Sequence, residues 1–203
     1  MKIYSYNINE MLDATYAEWM GLISKGKRML IERYRKISDK KLCLAGDILS
    51  REAIYEKCGI NPVDVKFDNS EFGKPYVVNN IDVHFNISHS GDYVICAIDD
   101  KPIGVDIEKI TNINMDTTRY FCTSNELKYI FDNSPQNILQ RFFRIWTLKE
   151  AYFKNIGTGL NDLKSVEFFI DKNGGVICNK EGYSFETVNK IDLYMISICK
   201  RVD

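Results

Sequence analysis

The chain has 203 residues, 45% of them apolar and 27% charged, with 27 basic against 28 acidic side chains and a net charge of −1. A chain of this length buries roughly seventy per cent of the surface that its unfolded form exposes, so it needs no staple to fold, and its composition excludes wholesale disorder, a fibre or a collagen. Near-neutral charge gives no global field for nucleic acid or an anionic membrane, so neither is expected as a partner and any phosphate chemistry must be local.

The start of the chain lacks a charged stretch followed by an apolar core, and the longest wholly apolar run, Tyr93 to Ile98, is far too short to span a bilayer. Six scattered cysteines without a C-x-x-C pair, and only His84 and His89 beside them, argue against zinc and disulfide frameworks. A reduced, cytoplasmic protein is expected.

The first marked feature is basic: Lys25, Lys27, Arg28, Arg33, Arg35, Lys36, Lys40 and Lys41 face only Glu32 and Asp39. Such a run reads ordinarily as a solvated helix face. A helix from about Leu42 is expected to stop near Gly59, since glycine tolerates the left-handed residue that ends many helices. The alternation Val63-Asp64-Val65-Lys66-Phe67 predicts a strand after it, followed by Phe85-Asn86-Ile87 and the apolar run from Tyr93. Asp99-Asp100-Lys101-Pro102 is a turn, and the second part of the chain begins with Ile103.

In Ile103 to Glu108 the apolar Ile103, Val105 and Ile107 alternate with Gly104, Asp106 and Glu108, so both carboxylates lie on one face of a strand. Two such acids repel unless a cation or a basic side chain stands between them, or unless the face is simply solvated. Thr123-Ser124-Asn125-Glu126 fits a helix capping box. A helix from about Leu139 is expected to end near Gly157, and it places Phe143, Trp146, Glu150 and Phe153 on one face. Glu150 thus shares its face with aromatics and needs compensation, which Lys154 one turn on supplies in the plain reading and a metal ion in the sharper one. Hard divalent ions such as Mg²⁺ suit an all-oxygen donor set beside substrate phosphate.

After each long helix the same landmarks recur at a separation of about one hundred residues: Ser165 to Phe169 matches the strand at Val63, Phe185-Glu186-Thr187 matches Phe85, and Tyr194 to Cys199 matches Tyr93 to Ile98. The expected fold is α+β, a pseudo-twofold duplication of a helix-plus-antiparallel-sheet unit. Residues 1–101 form the N-terminal half and 102–203 the C-terminal half, with the active site in the cleft between them. Two covalently joined halves predict a monomer.

These motifs together, Glu71-Phe72-Gly73-Lys74-Pro75, Phe85-Asn86-Ile87-Ser88-His89-Ser90, Gly104-Val105-Asp106-Ile107-Glu108 and Trp146-Thr147-Leu148-Lys149-Glu150-Ala151 with Lys154 and Gly157-Thr158-Gly159-Leu160, give a resemblance over most of the chain. It resembles the 4′-phosphopantetheinyl transferases, in particular the long two-half subfamily acting on peptide-synthetase and polyketide carrier proteins. That resemblance implies transfer of the phosphopantetheine arm of coenzyme A to a serine of an apo acyl carrier protein or peptidyl carrier domain, with release of adenosine 3′,5′-bisphosphate. It implies Asp106, Glu108 and Glu150 as Mg²⁺ ligands, Glu150 as acceptor of the serine proton with Glu126 as a rival, and Lys154 at the departing phosphate. Lys27, Lys74, Ser88 and His89 would contact the coenzyme, the last two from a turn spanning Asn86 to Gly91. Leu30 and Cys43 depart from the family at a phosphate-binding lysine and a hydroxyl position, and Arg28 is the candidate to compensate. Two other readings use the same residues: a non-catalytic protein that binds coenzyme A or a carrier, and a Mg²⁺-dependent nucleotide phosphodiesterase.

Overall fold

A computed structural model describes residues 1–132 and 135–202. The chain divides into two compact units, Met1–Asp100 and Lys101–Asp203.

Unit 1 begins with strand β1 (Lys2–Asn7) and helices α1 (Asp13–Leu22) and α2 (Lys25–Glu32), followed by the long helix α3 (Ile37–Cys58). Strands β2 (Phe67–Asn69) and β3 (Pro75–Val77) form a small hairpin, and β4 (His84–Ser90) and β5 (Tyr93–Asp99) complete a three-stranded antiparallel sheet in the order β1-β5-β4. Helix α3 packs its Leu44, Ala45, Ile48 and Ile54 against Phe85, Val94, Cys96 and Ile98 of that sheet to make the core. Gly59 ends the helix as expected, at φ 73° with its N–H donating to the Tyr55 carbonyl.

Unit 2 repeats the plan. Strand β6 (Ile103–Lys109) leads through the short helices α4 (Thr118–Phe121) and α5 (Ser124–Ile130) to the long helix α6 (Ile138–Ile156). A hairpin of β7 (Phe168–Ile170) and β8 (Val176–Cys178) follows, then β9 (Tyr183–Val188) and β10 (Tyr194–Arg201), with sheet order β6-β10-β9, all antiparallel. Gly157 ends α6 at φ 71°, its N–H donating to the Phe153 carbonyl. The α+β duplication read from the sequence is therefore the observed architecture: one long helix on one three-stranded antiparallel sheet, twice. Among the described residues no helix is long and apolar enough to cross a membrane.

Two local expectations need correction. The segments expected as strands at Val63 and Ser165 begin instead as 3₁₀ turns, Pro62–Asp64 and Leu163–Ser165, and only Phe67–Asn69 and Phe168–Ile170 are strands. The reason lies in the long helices. Buried Arg51 of α3 donates to the carbonyls of Pro62 and Val65, and buried Lys149 of α6 donates to those of Leu163 and Val166, so these carbonyls are withdrawn from ladder pairing. The segment Asn86 to Ser90 is likewise not a turn. It is strand, paired from Asn86 with Ala97 to Ser90 with Tyr93, and the chain reverses only at Gly91.

Candidate active site

The acidic cluster is built where β6 passes beneath α6. Gly104 makes this crossing possible: a Cβ there would stand 2.0 Å from the Ala151 carbonyl oxygen and 2.4 Å from the Asn155 nitrogen, so only glycine lets the helix backbone settle onto the strand. Asn155 fixes the contact by donating to the carbonyls of Pro102 (2.9 Å) and Cys199 (2.8 Å). Thr147 and Ser197 share a hydrogen bond of 2.7 Å between α6 and β10.

With strand and helix held this close, the side chains that alternate with the apolar residues of β6 face α6. Asp106 is 2% exposed, which corrects the solvated or edge-facing strand face allowed by the sequence. The Lys154 ammonium lies 2.5 Å from Asp106 Oδ1 and 3.7 Å from Glu150 Oε2. The ordinary Glu-to-Lys pair one helical turn apart thus exists, but the shorter contact of Lys154 reaches to the strand. Glu108 accepts a hydrogen bond from Trp146 Nε1 at 3.4 Å, and Trp146 is steadied by an edge contact with Phe121.

Electrostatics follow from this packing. Burial pushes the Asp106 carboxyl up to about 7; Lys154 pulls it back, and Glu150 and Glu108 push it further up. Glu150 is also raised, first by burial, with Lys154 opposing and Glu108 adding. Asp106 and Glu150 both pair with Lys154, and Glu108 adds its negative charge to the same poorly solvated place. That favours proton uptake or a cation.

Among the described residues no three acidic, histidine or cysteine side chains are gathered into a ready metal cage. In kind, the donors nonetheless fit a hard ion. All are carboxylate oxygens, and burial together with the neighbouring Glu150 and Glu108 disfavours the charged form of Asp106, which a bound cation would relieve.

The other residues singled out from the sequence fall elsewhere. Glu126 is fully buried in α5. It accepts from the backbone N–H of Thr123 (2.8 Å) in a capping box and from Phe168 N–H (3.0 Å), and it pairs with Lys149 at 2.9 Å. With all of these partners it is tied into the scaffold and has no exposed oxygen for a proton acceptor to use. Lys149, which the sequence reading left without a task, spends its three N–H groups on Glu126, Leu163 and Val166. A lysine set between apolar Leu148 and the Glu150-Ala151 pair, about 100° round the helix from Glu150, is the signal in the sequence for this buried role.

In unit 1, Lys27 of α2 lines a cavity of about 960 Å³ together with Lys66, Phe67, Pro75 and Phe85, and Leu30 lines it too. Lys74 sits in the β2–β3 turn, where its N–H donates to Ser70 Oγ. Ser88 is buried and His89 exposed, neighbours on a strand whose side chains leave from opposite faces. Lys66, which lines the same cavity as Lys27, and the close-packing role of Gly104 are what sequence reading passes over. Gly104 is legible in retrospect as a glycine interrupting a β-branched strand, a mark of close backbone approach.

Against known proteins, residues 102–199 match the 4′-phosphopantetheinyl transferase superfamily and residues 11–101 match the 4′-phosphopantetheinyl transferase, N-terminal family. The chain is 36% identical over 162 residues to a 4′-phosphopantetheinyl transferase of Bacillus subtilis, covering 79% of this chain and 72% of that protein. It is 36% identical over 151 residues to the enzyme of the same name in Aneurinibacillus migulanus, covering 74% and 62%. To that of Bacillus pumilus it is 28% identical over 210 residues, covering 99% and 90%.

Proposed function

We infer the function from one premise: this chain belongs to the 4′-phosphopantetheinyl transferase superfamily. It is proposed to move the phosphopantetheine arm of coenzyme A onto a serine hydroxyl of an apo acyl carrier protein or peptidyl carrier domain, releasing adenosine 3′,5′-bisphosphate. The observation that carries this reading is the convergence of Asp106, Glu150 and Lys154 across the β6–α6 crossing.

In this reading Asp106, Glu108 and Glu150 would hold Mg²⁺, which when bound neutralises pyrophosphate charge. Glu150 accepts the serine proton as the hydroxyl oxygen attacks the phosphorus that bears the pantetheine arm. The bond from that phosphorus to the adenosine-bisphosphate oxygen breaks, and Lys154 stabilises or protonates that oxygen as it leaves. Lys154 is held ready for this by Asp106, so positioning rather than new covalent chemistry is the main contribution of the chain. Coenzyme contacts are assigned to Lys27, Lys74, Ser88 and His89, and Lys66 joins them through the cavity it shares with Lys27. Glu126 receives no proton-transfer role. The chain is proposed to work as a monomer in the cytoplasm, a reducing compartment that agrees with its six free cysteines.

Incubation with coenzyme A, Mg²⁺ and an apo carrier domain is expected to add one phosphopantetheine to the carrier, read by intact mass. An unchanged carrier mass would favour the binding-protein reading, and adenosine bisphosphate released without a carrier would favour the phosphodiesterase. Asp106→Ala is expected to slow transfer roughly a thousandfold or more, the scale of several kcal/mol of lost charge stabilisation. Near-normal activity in that variant would remove Asp106 from the site.

A further inference from the structure

On the β9 side of α6, within unit 2, lies a second, polar cavity of about 400 Å³. Its lining includes Arg141 and Arg144 of α6, Tyr129 of α5, Gly174 of the β7–β8 turn, and Thr187 and Asn189 at the end of β9. Among the described residues that line it there is no carboxylate.

The two arginines stand three residues apart on α6, so their side chains leave neighbouring positions on one helical face. Arg144 is braced rather than neutralised: Nη2 donates to the Gly174 carbonyl at 2.6 Å and Nε to Thr187 Oγ1 at 3.4 Å, and among the described residues no acid pairs with it. A guanidinium has five N–H donors in a rigid fork, and these two bonds use only two of them. Arg141 is 15% exposed, lies over the Tyr129 ring at 5.8 Å, and meets Asp132 only at 3.9 Å, the Asp132 side chain being 62% exposed. The tightest bond of Arg141 to that residue is to its backbone carbonyl, at 3.3 Å. Two cations thus line one concave, hydrogen-bonding site; among the described residues that line it there is no acid, and Asp132 pairs with Arg141 at 3.9 Å.

We propose that this cavity is a binding site for a small oxyanion of the phosphate or carboxylate class, held by the Arg141 and Arg144 forks. Planar, bidentate recognition of oxyanions is what paired guanidiniums do best, and the backbone brace on Arg144 fixes one fork before the ligand arrives. The concavity, formed by α5, α6, the β7–β8 turn, β9 and, through Met195, β10, suits a small anion better than a flat protein surface. The proposal does not depend on the transferase reading, because none of these residues belongs to the acidic cluster.

The test is titration of the full-length protein with inorganic phosphate and, separately, with succinate, at constant ionic strength, following the arginine Nε–Hε NMR signals. Saturable shifts of the Arg144 signal with either probe are expected, and the probe that saturates first identifies the anion class. Arg141→Gln is expected to weaken binding roughly tenfold or more, the scale of a lost charge-assisted hydrogen bond. Arg144→Lys, which keeps the charge and loses the fork, is expected to weaken it as well, while Lys2→Ala, an exposed change in unit 1, leaves it unchanged. Linear, non-saturating shifts with both probes, or saturation that survives Arg141→Gln undiminished, would overturn the proposal.

Discussion

In unit 1 the long helix sends Arg51 into the interior to pair with Asp47 and to hold the carbonyls of Pro62 and Val65; in unit 2 the long helix sends Lys149 to pair with Glu126 and to hold those of Leu163 and Val166. The hairpins are then locked alike. Asn79 accepts from Lys66 N–H and donates to the Asp64 carbonyl, and Asn179 accepts from Glu167 N–H and donates to the Ser165 carbonyl. The sheets have the same strand order. Where the units part is at the crossing of first strand and long helix. By sheet register, Gly104 opposite Cys199 corresponds to Lys2 opposite Ile98, and Asp106 opposite Ser197 corresponds to Tyr4 opposite Cys96. In unit 1 the helix partner of that tyrosine is Glu56, which accepts from Tyr4 at 2.7 Å and from Lys2 at 3.2 Å. A shared scaffold therefore carries an acid–lysine cluster in one copy and a phenol–carboxylate pair in the other. Glycine at the crossing is the substitution that separates them.

The shared part of this comparison gives the largest expected effect. Lys149→Met leaves the Glu126 carboxylate buried and uncompensated and is expected to cost about 3–5 kcal/mol in chemical denaturation. Arg51→Met is expected to cost a similar amount through Asp47. In each unit, replacing both partners by apolar residues of like volume should recover most of the loss, because the penalty is that of a stranded charge. A cost under about 1 kcal/mol for either single change would mean that the two buried cations are not equivalent supports. The divergent part comes next. Gly104→Ala puts a methyl into the α6 backbone and is expected to destabilise the protein by about 1–3 kcal/mol or more and to lower transfer by displacing Glu150 and Lys154 from Asp106. Lys2→Ala at the matching position should leave the denaturation midpoint unchanged within error, since Lys2 is 63% exposed. Equal sensitivity at the two positions would dissolve the distinction.

Much of this duplication is legible in the chain. The helix stops at Gly59 and Gly157 follow from a purely local property of glycine, and the strand pairs around Tyr93 and Tyr194 follow from apolar runs of matching length. The acids of β6 and α6 are legible too as acids on regular spacings. Their burial is not, because it depends on how closely α6 descends on Gly104, a three-dimensional fact that alternation along β6 cannot carry. The 3₁₀ turns at Pro62 and Leu163 escape a local reading for the same reason: their carbonyls are claimed by Arg51 and Lys149, residues 11 and 14 positions away. Likewise Glu126 fits a capping box from its own four residues, while its bond to Phe168 N–H and its pair with Lys149 come from segments that only the fold assembles.

The smallest expected effect distinguishes the crossings by their response to protons. Tyr4 is pushed up to about 12 by burial and by Glu56, so it keeps its proton throughout the working range. Asp106, held up near 7 by burial, does not. Its folded-state affinity for protons exceeds that of the unfolded chain, whose aspartates titrate near ~3.9, so folding takes up a proton between those values. The stability it contributes is complete below about pH 4 and is lost as the pH rises through 7, with a slope of at most about 1.4 kcal/mol per pH unit. Compared in EDTA between pH 5 and 8, Asp106→Asn is therefore expected to gain on the parent protein as pH rises, since the amide has no proton to lose. Tyr4→Phe should run parallel to the parent across that range. Added Mg²⁺ is expected to narrow the gap between parent and Asp106→Asn at pH 8, where the carboxylate is ionised and most in need of a cation. A parallel course for Asp106→Asn, with or without the ion, would show that Lys154 alone satisfies the cluster.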